Sequence, residues 1–145
     1  RHLVVDSLGL LLAVLVTSAA VDDGVAAKEV LSMVDSEAFP RLRIVYGDNK
    51  YHNHDLYAWT ESNADYRIQV VHRPPDQVGF QVLPQRWVVE RTFAWLSRSR
   101  RLSKDWEKLT VTSEAMVKIS MVHLMLKRLA RDSATHEFAH HQMAA

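Results

Sequence analysis

Apolar residues crowd the opening of the chain in two short runs. Residues 1–5 and 10–17 are rich in Leu and Val, and Asp6-Ser7-Leu8-Gly9 between them has the composition of a turn. This pattern predicts a β-hairpin. The second run is apolar at consecutive rather than alternate positions, which predicts a strand buried on both faces. Asp22-Asp23-Gly24 then punctuates the chain. Either Asp is a suitable N-cap for a helix to about residue 36, with Val25, Val30, Leu31 and Val34 as its stripe.

Pro40 ends the connection, and residues 42–46 read as a β-branched strand closing on Gly47-Asp48. Residues 51–61 predict a short helix with Leu56 and Trp59 on one side, 66–72 a strand, 74–76 a loop and 79–83 another strand. Pro84 stands where a helix begins. Residues 85–99 are apolar nearly all round (Trp87, Val88, Val89, Phe93, Trp95, Leu96), which predicts a buried helix. Thr112 or Ser113 is the expected cap of a long helix to about residue 131, with Val117, Met121, Leu124 and Leu129 inward. Residues 133–145 are expected to fray. The order β-β-α-β-α-β-β-α-α predicts an α/β domain over residues 1–132, a mixed sheet covered by helices.

Composition narrows the class without changing this picture. The 145 residues suit one domain, and 48% hydrophobic with 24% charged is ordinary globular content. The absence of Cys excludes a disulfide scaffold and a zinc ribbon and suits a reducing cytoplasm. The apolar stretch from Leu8 to Val21 is too short for a membrane span and is interrupted by Gly9, Thr17 and Ser18. A chain that opens on Arg1-His2-Leu3, directly in a strand, reads as a fragment.

Charge is unevenly distributed. Residues 1–85 carry 7 basic and 11 acidic side chains, and residues 86–145 carry 11 basic and 6 acidic. The basic excess is densest between Arg86 and Lys108, and suits either a grip on a polyanion or a solvated, charge-mixed helix end.

Two carboxylates stand out against this background. Asp48 directly follows a predicted strand, where a side chain faces the crevice at a sheet's carboxyl edge. Glu90 falls in the middle of the most apolar helix, where a buried acid requires a partner or a cation. At 100° per residue, Arg86, Glu90, Ser97 and Arg101 lie within roughly 60° of arc. One reading brings Asp48 and Glu90 together on a divalent metal beside phosphate-gripping bases. The other is an Arg86–Glu90 ion pair at i, i+4 and a capping Asp48.

Three stretches carry a resemblance: residues 1–19, the run Phe39-Pro40-Arg41-Leu42-Arg43-Ile44-Val45-Tyr46-Gly47-Asp48, and residues 86–107, which begin Arg86-Trp87-Val88-Val89-Glu90-Arg91-Thr92-Phe93. They resemble the DDE transposases of bacterial insertion sequences, the IS-five family in particular, over residues 1 to about 127. The resemblance implies an RNase H-like fold, two metal ions (Mg²⁺ or Mn²⁺) held on Asp, Asp and Glu, and cutting and joining of DNA. By it Asp48 matches the second catalytic Asp and Glu90 the catalytic Glu, both also metal ligands. Arg86, Arg91, Arg98, Arg100, Arg101 and Lys104 are the expected DNA-binding residues. Arg86 and Glu90 reproduce part of the signature Y-x2-R-x3-E-x6-K, while Leu83 and Ser97 replace its Tyr and Lys, and Lys50 replaces a Gly.

The family's first catalytic Asp lies on a strand upstream of the opening hairpin, so the expected fold is an RNase H-like mixed sheet whose first strand is missing. Metal binding is then expected to be weak and the isolated chain inactive. Asp6 is expected to form the turn rather than replace that Asp. The alternative is a DNA-binding remnant without chemistry, able to interfere with a full-length transposase. Expected partners are DNA and either a second copy or an upstream transposase segment, in the bacterial cytoplasm at the nucleoid, with no membrane.

His136-Glu137-Phe138-Ala139-His140 fits the zinc-protease pattern H-E-x-x-H. Nothing beyond it builds a cleft, so adventitious metal binding is the expectation for this segment.

Overall fold

A computed structural model describes residues 1–21, 23–71 and 87–142, without the side chains of Asp23 and of residues 132–142. The expected strand over 79–83, Pro84, Leu83 and Arg86 lie outside the described residues, as do the side chains of the H-E-x-x-H segment.

Strands β1 (His2–Val5) and β2 (Leu11–Leu15) form the predicted antiparallel hairpin, with Leu3 opposite Val14 and a register shift between Val4 and Val5. Asp6 makes the turn. Its Oδ1 accepts the N–H groups of Leu8 (2.9 Å) and Leu10 (2.8 Å). Gly9 completes it at φ +79°, a backbone conformation that side chains disfavour. Ala13, Val14 and Leu15 are all buried, as the unbroken apolar run predicts.

The two faces of the hairpin feed two cores. Helix α1 (Asp23–Ser32) and the turn after it place Ala26, Ala27, Val30, Leu31 and Val34 against Val4, Ala13 and Leu15. Val25 is exposed, so the inward stripe runs through the alanines instead. On the other face, Val14 packs with Leu96, Leu102, Val117 and Met121. These come from helix α3 (Trp87–Ser97), the turn after it, and helix α4 (Thr110–Gln142). Glu114 ties α4 to the hairpin by accepting the Val16 N–H at 2.9 Å. α4 starts before the expected cap, leaving Ser113 buried in its first turn, and runs past the expected end. Its last turns contain no Gly or Pro to stop it. Leu129 is exposed, because only the 113–117–121–124 side of the helix meets the hairpin.

Strand β3 (Ile44–Gly47) pairs in parallel with strand β4 (Arg67–Val70), Val45 opposite Ile68. Helix α2 (His54–Asn63) makes the crossover that parallel strands require. Asn53 caps it by accepting the Asp55 N–H, and Leu56 is its fully buried anchor. Burying such a side chain contributes about 2 kcal/mol. The buried Tyr66 hydroxyl donates to the Leu31 carbonyl at 3.0 Å and joins this unit to α1.

The fold is therefore mixed α/β, with helices flanking small sheets. Among the described residues the strands form two separate two-stranded sheets, β1-β2 and β3-β4, rather than one continuous sheet.

Two predictions follow from these contacts. A Cβ at Gly9 would meet Thr92 Oγ1 at 2.7 Å and Trp95 Cζ3 at 2.9 Å. Gly9→Ala should therefore cost roughly 1–3 kcal/mol of stability, read as a lower urea midpoint. Burial pushes the Tyr66 phenol above its ordinary value of about 10. The folded chain holds that proton more tightly, so this stabilisation is present below about pH 10 and fades as pH rises through the folded-state value. Unfolding midpoints measured across that range should fall less steeply in Tyr66→Phe, which in turn loses about 1 kcal/mol at neutral pH with the buried hydrogen bond.

Candidate nucleic-acid-processing site

Between the two sheets lies a cavity of about 650 Å³. Consecutive residues of β1, from His2 to Val5, line it, and so do consecutive residues of β3, from Ile44 to Gly47. A strand that offers a face contributes every second residue, whereas unbroken runs mean that it offers its edge. Among the described residues each of these strands pairs on one side. The third wall is the apolar side of α3, with Trp87, Val88, Val89 and Phe93.

Asp48 and Glu90 both line this cavity, one at the end of β3 and the other on α3. Asp48 is half-buried and caps the short 3-10 turn Asn49–Tyr51, its Oδ1 accepting the Lys50 N–H at 3.0 Å. Lys50 occupies that turn without a positive φ, so a glycine is not needed there. Glu90 is exposed, contrary to the expectation of a buried acid. The reason is that α3 is not sunk in a core. Only Thr92 and Leu96 are fully covered, and the remaining apolar side chains front the cavity or solvent. Thr92 positions the helix, its hydroxyl 2.9 Å from the Gly9 carbonyl oxygen.

Among the described residues no three His, Cys, Asp or Glu side chains converge to hold a metal ion. Asp6 lines the same cavity, but its carboxylate is engaged in the turn. The donor set present is thus two carboxylates on separate walls, which does not fit a closed divalent-cation site.

The basic residues differ in their surroundings. Arg91 is half-buried, its guanidinium stacked 4.1 Å from the Trp87 ring and 4.8 Å from the Trp95 ring, with Nε making no hydrogen bond. Arg128 covers Trp95 as well, at 4.5 Å. Arg101 pairs with Glu107 through Nε (3.0 Å) and Nη2. Arg98, Arg100 and Lys104 are exposed. Ser97, at the signature Lys position, bonds back to the Ala94 carbonyl. Two participants escaped the sequence reading. Arg1 pairs with Asp105 at 2.8 Å and donates to the Leu102 carbonyl, fastening the turn after α3 to β1. Trp106 is 62% exposed within the basic segment. Its signal was visible as an aromatic residue among bases.

The family model described as "Transposase DDE domain" matches residues 1–125. The chain belongs to the DDE-transposase domain family. It is 29% identical over 141 residues to the "Putative transposase for insertion sequence element IS402" of Burkholderia cepacia, covering 90% of this chain and 64% of that relative's length. No solved structure matches. No helix among the described residues is long and apolar enough to cross a membrane.

The Arg91 stack generates a prediction. Arg91→Ala should lower stability by about 1 kcal/mol, the worth of a partly desolvated cation–π contact. Its effect on the salt dependence of DNA binding should be smaller than that of Arg98→Ala or Arg100→Ala, measured by titrating labelled DNA at several salt concentrations.

Proposed function

We propose that this chain is the later part of an RNase H-like transposase catalytic domain acting on insertion-sequence ends and target DNA. The observation that carries the reading is the shared cavity. Asp48 and Glu90, matched to the family's second Asp and its Glu, line one hollow that is also bordered by β1 and β3, each of which has one partner strand among the described residues. An extended segment laid between β1 and β3 would satisfy both edges and join the two sheets into one. If that segment carries an Asp, it adds the third carboxylate to the two already on the cavity wall.

With that third carboxylate in place, the site would be able to hold Mg²⁺ or Mn²⁺, which would supply charge stabilisation to the reacting phosphate. Asp48 and Glu90 would supply two of the ligand groups. The residues of this chain contribute in other ways too. Asp48 closes the end of β3, and Thr92 fixes the rotation and depth of α3 against the hairpin turn. Arg98, Arg100 and Lys104, exposed after α3, are the proposed phosphate contacts, with Arg86 as a further one; Arg101 contributes through its pair with Glu107 to the shape of that turn.

The test is strand cleavage. The chain alone should not nick labelled insertion-sequence ends in Mg²⁺ or Mn²⁺. Fused to an upstream segment bearing an Asp on a strand, it should nick them, and Glu90→Gln or Asp48→Asn should each reduce the rate by at least about 100-fold. Cleavage that survives both substitutions sinks the catalytic reading. Binding without cleavage by the fusion favours the remnant, which would compete with a full-length transposase for the same ends. In either case log K should fall against log salt by ~0.9 for each phosphate held.

A further inference from the structure

We propose that the outer face of α4 is a docking seam for one amphipathic helix with acidic flanks, supplied by a partner protein. The inference is independent of the DNA reading, since it uses none of the residues assigned to the cavity or to phosphates. Ser113, Val117 and Met121 are buried on the side of α4 that meets the rest of the molecule, the last two in the second core. On the opposite side stand Val111, Ala115, Ile119, Val122, Leu126 and Leu129. At 100° per residue these fall within roughly 80° of arc, about half a turn from the buried side. Ala115 is exposed, and the five larger side chains are exposed by 53% (Val122) to 72% (Val111). A continuous aliphatic row of this kind on a surface marks an interaction site, whereas isolated apolar residues do not.

Spacing selects the shape of the occupant. From Ala115 to Leu129 the intervals alternate between four residues and three. That is the a/d repeat of a coiled-coil seam, whose holes accept the side chains of a facing helix. A lipid surface is served by a broader apolar face carrying aromatic residues. This seam is narrow and has no Trp or Phe. Nucleic acid offers no matching row of aliphatic groups.

Charge selects its chemistry. Residues 115–131 include Lys118, His123, Lys127, Arg128 and Arg131 and no acid. Lys118 borders the seam on one side, and His123 and Lys127 border it on the other, all three exposed. The acid just before this stretch, Glu114, is engaged with the Val16 N–H. A second copy laid along residues 115–131 would set basic flank against basic flank in either direction. A helix with Glu beside its apolar row matches both features, aliphatic side chains for the seam and carboxylates for Lys118 and Lys127.

The probe is a labelled synthetic helix about three heptads long, with Leu and Ile at a and d and Glu at e and g, and a twin with Lys in place of Glu. The full chain is titrated into each and binding is read by fluorescence anisotropy. The Glu peptide should bind at least about tenfold more tightly than the Lys peptide, and Lys118→Glu combined with Lys127→Glu should reverse that order. Leu126→Asp should weaken the Glu peptide by at least about tenfold, with circular dichroism unchanged because the side chain is exposed. Equal affinity for the two peptides, or none for either, overturns the proposal without needing any variant to fold. A concentration-dependent dimer in sedimentation equilibrium, abolished by Leu126→Asp, assigns the seam to a second copy and overturns it too. Flotation with phosphatidylserine vesicles that Leu126→Asp abolishes assigns it to lipid, with the same consequence. None of these outcomes bears on strand cleavage, so the catalytic reading stands or falls separately.

Discussion

Burial of β2 on both faces is the constraint from which the rest of the molecule follows. Ala13 and Leu15 face α1 while Val14 faces α3 and α4, so one five-residue strand separates two cores. A strand in that position cannot slip by one residue without exchanging the contents of the two. The hairpin turn holds the register through Asp6, and Thr92 reads the position of that turn directly by bonding to Gly9. Helix α3, and with it Glu90, is thereby placed relative to β1. Asp48 is placed from the other direction, through α1, Tyr66 and the β3-α2-β4 unit. The two carboxylates reach one cavity because both chains of contacts start at the same strand.

Much of this was legible in the order and chemistry of residues. The hairpin, the turn made by Asp6, the two-sided burial of residues 13–15, and the strand ending at Asp48 follow from local pattern, since local pattern determined them. Glu90 was misjudged on burial because periodicity reports that a helix is apolar and not what lies opposite. Here Trp87, Val88, Val89 and Phe93 face a hollow instead of packed side chains. The stripe of α1 was displaced to Ala26 and Ala27 for a related reason: small residues allow close approach to the hairpin, and an apolar Val25 does not by itself claim the inward side. The separation of the strands into two sheets depends on pairing across the molecule, which no window of sequence contains. The division of labour among the bases was also hidden, because Arg91 and Arg98 look alike until the indoles around the former are in place.

Among the described residues β1 and β3 each have one partner strand, and both border the apolar cavity. A row of N–H and C=O groups exposed beside apolar side chains is a template for another extended segment. Such an edge is normally blunted by a charge or a proline. Neither β1 nor β3 carries one within its span. On the proposed reading, a segment that completed the sheet would also complete the set of acids. Stability and chemistry would then be gained together, and a chain lacking that segment would have neither a closed sheet nor a full ligand set.

The same coupling extends to the basic turn. Arg1 sits at the outer end of β1, where it lines the cavity and holds the backbone after α3. Any segment drawn against the edge of β1 must pass beside the residue that fixes the turn bearing Trp106. A DNA strand gripped by Arg98, Arg100 and Lys104 would, in turn, be presented on the side where the strand edge is completed. On the proposed reading, DNA grip and assembly of the reaction site would both depend on one piece of geometry, the placement of β1 between the cavity and the turn after α3.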